Sequence, residues 1–266
     1  MQSLQLLSRS LAVPCLVALL SLNVALAEPA KEYQPQVGQG GKDVVWVPTP
    51  QALVDKMMEM ASVTPNDIVI DLGSGDGRTV ITAAKRGAKA MGIEYNPDMV
   101  ELSKRNAAKE GVSDKATFEK ADLFESDFSH ATVITMFLLP DINLRLRPKI
   151  LDLKPGTRIV SNSFDMGDWT PDEVAQAAEG CTSYCRANFW IVPAKVAGAW
   201  KLPQGELTLE QTYQKLTGTL KTGNASAAIS DAKMRGDQIT FTVNGTQYTG
   251  KVSGSVMEGT WRATRG

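Results

Sequence analysis

Ile68-Val69-Ile70-Asp71-Leu72-Gly73-Ser74-Gly75-Asp76-Gly77-Arg78-Thr79 is the stretch that decides the fold. Its first three residues read as a short buried strand, and the segment from Thr79 reads as the start of a helix. Between them lies a turn with glycine at every second position. A turn that leaves a strand and opens a helix presents backbone N–H groups to a ligand, and glycine allows close approach. Dinucleotide-binding proteins and purely structural bends use related turns, so the neighbouring segments must decide what this one holds.

Downstream, strand-like and helix-like segments alternate. Residues 90–93 read as a second strand, and Asn96-Pro97 as a helix cap and first turn, with Gly111 closing that helix. Thr117-Phe118, residues 133–137 and residues 158–160 read as strands three to five, with a helix over 142–151. Upstream, Thr49 reads as an N-cap with Pro50 at the first helical position, and Leu53, Met57 and Met60 follow at helical spacing. Repeated strand-helix units of this length require a parallel sheet covered on both faces.

Three acids fall at successive strand ends. Asp71 opens the glycine turn, Glu94 ends the second strand 17 residues after Gly77, and Asp122 follows the third. A carboxylate at Glu94 can accept both hydroxyls of a ribose, and one at Asp122 can receive an adenine amine. The negative charge of Asp71 suits a ligand bearing an ammonium and a sulfonium. Together the three acids point to a nucleoside cofactor.

Asp71 to Arg78, Gly92-Ile93-Glu94-Tyr95-Asn96-Pro97 and Asp122-Leu123 resemble the successive cofactor motifs of class I S-adenosylmethionine-dependent methyltransferases. More narrowly, the chain is similar to the mitochondrial protein-lysine methyltransferases that modify the c-ring protein of ATP synthase and the adenine nucleotide translocase, and to small bacterial relatives. The resemblance runs from about Val47 to Trp169 and includes Val47-Pro48-Thr49-Pro50 and Phe137-Leu138-Leu139-Pro140. It implies a Rossmann-like α/β sheet, S-adenosyl-L-methionine as cofactor, and cofactor contacts at Asp71, Gly73, Ser74, Gly75, Gly77, Glu94, Tyr95, Asn96, Asp122 and Leu123. It implies a protein lysine or another amine as methyl acceptor; a small-molecule acceptor and a binding module on a degenerate methyltransferase domain are the alternatives. Phe137 and Pro140, at the end of strand four, and Trp46, Pro48 and Tyr33, upstream, are the candidate acceptor contacts. No residue stands out as a general base, and a neutral amine in a partly dry pocket does not require one.

Beyond Pro171 the periodicity weakens. Residues 172–178 fit a helix or one arm of an antiparallel hairpin completed by Phe189-Trp190-Ile191-Val192, and in the second case Cys181 and Cys185 flank the turn and can pair. From Val196 short alternating strands separated by Gly, Asn and Asp indicate a small antiparallel all-β domain, a meander or a barrel.

The first 27 residues carry one cation, Arg9, an apolar run over 11–22 and Ala25-Leu26-Ala27, the layout of a secretory signal peptide. Cys15, preceded by Pro14 inside that run, does not read as a lipid attachment site. The expected division is a signal peptide at 1–27, a mobile lead-in at 28–42, a methyltransferase domain at 43–195 and the β domain at 196–266. An exported, periplasmic protein follows from this layout, with an uncleaved N-terminal anchor as the alternative, and association with the envelope through that anchor or the β domain. Two thiols after the signal and a single histidine, His130 in an expected loop, fall short of the four ligands a zinc site wants, so no metal is expected. Residues 28–195 hold 19 Lys and Arg against 24 Asp and Glu, and residues 196–266 hold 8 against 5. Neither half is a basic footprint, which disfavours nucleic acid as a partner.

Overall fold

A computed structural model describes residues 32–177 and 179–265; the signal-peptide and anchor readings of the N-terminus lie outside the described residues. Among the described residues no helix is long and apolar enough to cross a membrane.

The first region alternates as α1 (Gln51–Met60), β1 (Ile68–Leu72), α2 (Arg78–Lys85), β2 (Lys89–Glu94), α3 (Pro97–Lys109), β3 (Ala116–Lys120), β4 (Val133–Met136), α4 (Pro140–Leu151) and β5 (Arg158–Asn162). Two further strands, β6 (Glu173–Gln176) and β7 (Arg186–Ile191), complete a seven-stranded sheet in the order β3-β2-β1-β4-β5-β7-β6. Strands β1 to β5 are parallel, and β7 runs antiparallel to both β5 and β6.

Alternation along the strands loads both faces. Val69, Val133 and Val160 join Leu53 and Met57 of α1, Val80 of α2 and Val100 of α3 in one core layer. Their neighbours Ile70, Ile134 and Ile159 join Ile142, Leu146 and Ile150 of α4 in the other. Burial of each such side chain contributes about 1.5–3 kcal/mol, and a one-residue register slip would exchange the two sets. The chain proceeds outward from β1 through β2 to β3, then returns to β4 on the other side of β1. That reversal opens a crevice at the C-terminal ends of β1 and β4, where open α/β sheets bind ligands.

Two local expectations are settled or corrected. Residues 173–176 form a strand rather than a helix, because β7 carries the buried Phe189 and Trp190 and offers β6 a free edge. The Cys181–Cys185 disulfide closes the turn between them, with Cα atoms 5.7 Å apart. At α1, Pro50 rather than Thr49 is the N-cap, without a side-chain cap bond. The Thr49 hydroxyl is occupied elsewhere, accepting from Asn162 Nδ2 at 3.2 Å.

The C-terminal region is a closed antiparallel barrel. It comprises β8 (Gly198–Leu202), β9 (Gly205–Thr212), β10 (Lys215–Thr222), β11 (Ala225–Ala228), β12 (Ser230–Arg235), β13 (Gln238–Val243), β14 (Thr246–Ser253), β15 (Val256–Gly259) and β16 (Arg262–Thr264). Strand β9 pairs with both β8 and β10, which closes the ring, while β11 adds only to β10. Closure removes the sheet edges. Trp200, Leu207, Leu209, Leu216, Ile239, Phe241 and Met257 fill the interior. The barrel is tied to the sheet domain: Tyr213 stacks on Trp169 at 5.8 Å, Gln214 donates to the Thr170 carbonyl at 2.8 Å, and Arg235 pairs with Glu173 at 2.8 Å.

Candidate functional site

The glycine turn is built from left-handed residues. Gly73, Gly75 and Gly77 have φ of +78°, +54° and +83°, values that L side chains adopt only at a cost. The Gly73 and Ser74 N–H groups donate to the Ile93 carbonyl at 2.9 and 3.1 Å, which ties the turn to the end of β2. From α3, Ser103 Oγ donates to the Gly75 carbonyl at 2.8 Å and Asn106 Nδ2 to that of Asp76 at 2.9 Å. These two α3 contacts were not foreseen; their only trace in the sequence is the i, i+3 spacing that puts both on one helix face.

Glu94 reaches the bend. Its Oε2 accepts from the Gly75 N–H at 2.9 Å and its Oε1 from the Asn96 N–H at 2.9 Å. The carboxylate is thereby fixed at the rim of the cleft, with lone pairs to spare for a diol.

Asp71 is buried beside it. The Thr135 hydroxyl donates to Asp71 Oδ1 at 2.6 Å. Burial, reinforced by repulsion from Glu94 and Asp76, raises the Asp71 carboxyl to about 7, against the opposing effect of the Thr135 hydrogen bond. A cationic ligand would favour its ionised form. Ser74 lines the same cleft, while its Oγ is buried toward Gly92, where a Cβ would lie 2.4 Å from it, and has no hydrogen-bond partner in the protein. Two converging acids beside a left-handed turn that carries glycine at 73, 75 and 77 suit an adenosyl ligand with a cationic tail.

The segment expected to be a mobile lead-in is corrected over its described part. Gly38 N–H donates to the Trp46 carbonyl and Trp46 N–H to that of Gln39, both at 2.8 Å, and Gly40 bridges to Val45. Lys42 forms an ion pair with Asp122 and lies 4.7 Å from the centre of the Tyr95 ring. The hydrogen bond from Lys42 holds the Asp122 carboxyl below its usual range. Residues 39–49 thus form a strap along the cleft. Backbone bonds and a long-range ion pair fix it, neither of which is visible in a Gln- and Gly-rich composition. The Tyr33 hydroxyl accepts from Gln39 Nε2 at 2.5 Å and braces the strap rather than lining the cleft.

The cleft encloses about 1350 Å³, including its open mouth. Asp71, Gly73, Ser74, Gly75, Glu94, Tyr95, Asn96, Asp122 and Leu123 line it, as do Trp46, Pro48 and Phe137. Two expected contacts do not. Gly77 is the N-cap of α2, and a Cβ there would lie 2.8 Å from both the Phe118 ring and Ser103 Cβ, so its role is close packing. Pro140 is exposed at the start of α4, while Leu138 and Leu139 line the cleft in its place. Phe164, after β5, and Tyr184, in the disulfide-closed turn, also line it, and the sequence reading missed both. Their strand-end positions were the available signal. The lone His130 is exposed and outside the cleft.

Comparison with known proteins agrees with this geometry. The ANTKMT methyltransferase domain matches residues 71–173, and a DNA methylase family matches residues 32–105, which end within α3 on the cofactor half of the sheet. The chain is 47% identical over 140 residues to a protein-lysine N-methyltransferase of Saccharolobus islandicus (strain REY15A), covering 52% of this chain and 87% of that protein. It is 34% identical over 129 residues to the adenine nucleotide translocase lysine N-methyltransferase of Mus musculus, covering 48% of this chain and 55% of that one. A crystal structure of an RNA methyltransferase from Salinibacter ruber in complex with S-adenosyl-L-homocysteine is 45% identical, with a TM-score of 0.53, and covers 56% of this chain and 96% of that one. Both family matches end before the barrel begins at β8. The glycine bend, its converging carboxylates and these relatives place the chain in the ANTKMT-type family of class I methyltransferases, with S-adenosylmethionine as its cofactor.

Proposed function

We propose that the protein transfers methyl groups to lysine side chains of an envelope protein. The observation that carries the reading is the 47% identity over 140 residues that spans 87% of a protein-lysine N-methyltransferase. When bound, S-adenosylmethionine supplies a methyl group activated by a sulfonium.

The chain's own residues divide the remaining work. Glu94 would hold the ribose hydroxyls, Asp122 the adenine amine, and Asp71 the ammonium of the amino-acid tail. The strap over 39–49 limits water on that side. Positioning is then the principal contribution, since a correctly held amine and methyl group need little further assistance. The apolar wall formed by Leu138 and Leu139 disfavours a charged ammonium by desolvation and so helps present the neutral amine.

The Salinibacter relative bears the name of an RNA methyltransferase. The excess of five acids over bases in residues 28–195 argues against a polyanion as the acceptor here. Export is part of the same proposal. It is supported by the apolar N-terminal segment ending in Ala25-Leu26-Ala27 and by a disulfide between the two remaining cysteines. The envelope is therefore where the acceptor is sought.

Incubation of the protein with methyl-labelled S-adenosylmethionine and a cell-envelope fraction, followed by total hydrolysis, tests the reading. The expected product is labelled methyl-lysine from a protein band. Label confined to RNA or to small molecules would overturn it.

A further inference from the structure

The cleft has two unlike walls. Ends of β1, β2 and β3 supply the acids and the glycine turn; ends of β4 and β5 and the β6–β7 turn supply aromatic rings. Phe137 and Tyr184 lie 5.1 Å apart between ring centres and are tilted by 59°. Phe164 completes the group at 6.2 Å from Phe137 and 6.3 Å from Tyr184.

Core packing does not account for these rings. None belongs to the two buried clusters of the sheet domain, and Tyr184 is 43% exposed. Tyr184 also has φ of +54°, an unfavourable conformation for a bulky residue. It sits in a turn closed by the Cys181–Cys185 disulfide and held at its base by the Ala177 N–H donating to the Cys185 carbonyl at 2.9 Å. Strained, partly exposed and directed at the cleft, the residue is held in place by a covalent link.

We propose that Phe137, Phe164 and Tyr184 form the binding site for the acceptor's alkylammonium group, and that the disulfide-closed turn positions Tyr184 within it. The proposal rests on the methyltransferase reading and names the recognition element of its acceptor side. Aromatic faces attract a cation through their quadrupole and demand no N–H donor from it. A nitrogen that has already gained methyl groups therefore remains a ligand, so the site suits repeated methylation of one side chain. Desolvation by the rings and attraction to their faces oppose one another for the unmethylated ammonium, whereas a quaternary nitrogen, without N–H groups, has less hydration to lose.

Binding to the full chain, saturated with S-adenosylhomocysteine, tests this without turnover. The probes are Nε-trimethyl-lysine amide and its neutral isostere with carbon in place of nitrogen. The cation is expected to bind about tenfold tighter than the isostere, Tyr184→Leu to abolish that preference, and Tyr184→Phe to keep it within about threefold. The Cys181→Ser, Cys185→Ser double variant is expected to behave like Tyr184→Leu while its S-adenosylhomocysteine affinity stays unchanged. Equal binding of cation and isostere, or a preference that survives Tyr184→Leu, overturns the aromatic site. A preference that survives the double serine variant overturns the role of the disulfide. Failure to bind S-adenosylhomocysteine at all would count against the methyltransferase reading instead, and so the two are separable.

Discussion

Asp71 on β1 and Thr135 on β4 are register partners, and the threonine hydroxyl donates to the aspartate carboxylate at 2.6 Å inside the sheet's switch point. An acid held at about 7 in this position makes the cofactor-free protein sensitive to pH.

The folded state keeps a proton on Asp71 that the unfolded chain releases near 3.8, so stability falls as pH rises from 3.8 to about 7 and stays lower above it. Asp71→Asn is expected to raise Tm by roughly 3–8 °C at pH 8 and to change it little at pH 4. Cofactor affinity shows the opposite trend, strengthening in the wild type as Asp71 ionises and weakening in the variant. Thermal unfolding and cofactor titration at the two pH values check both signs, and a Tm difference independent of pH would contradict the assignment.

Gly77 is assigned to packing rather than to ligand contact. Gly77→Ala places a methyl group against Phe118 and Ser103 at a backbone angle of +83°. The expected cost is about 3 kcal/mol, or a Tm lower by roughly 6–12 °C. An unchanged Tm would show that the turn relaxes without cost.

Lys42 ties the strap to Asp122 at the surface, so its removal should matter to ligand exchange more than to folding. Lys42→Ala is expected to leave Tm within about 2 °C while speeding cofactor release several-fold. Stopped-flow displacement of bound S-adenosylhomocysteine measures this, and an unchanged release rate would remove the strap from the account.

What the sequence discloses follows from how local each signal is. Residues 68–79 carry strand, turn and helix within a dozen positions, so fold class and the placement of Glu94 were legible. The β6–β7 hairpin was ambiguous because its pattern is short, and pairing with β5 at long range decides it. Ser103, Asn106, Phe164 and Tyr184 were missed because each acts through contacts more than ten residues away. Gly77 and Pro140 were given ligand roles from motif position alone, whereas packing against Phe118 and exposure at the start of α4 decide their places. The strap was missed for a related reason. Its order comes from backbone bonds between residues 38–40 and 45–46 and from Asp122, 80 residues away, rather than from its own composition.

Calorimetric titration of S-adenosylhomocysteine into the wild type and Glu94→Ala most directly tests whether the acids and the glycine bend serve one adenosyl ligand. One equivalent should bind the wild type, with affinity reduced roughly 30-fold or more in the variant, as expected for loss of charged hydrogen bonds to a diol. Equal affinities in the two proteins would contradict the account.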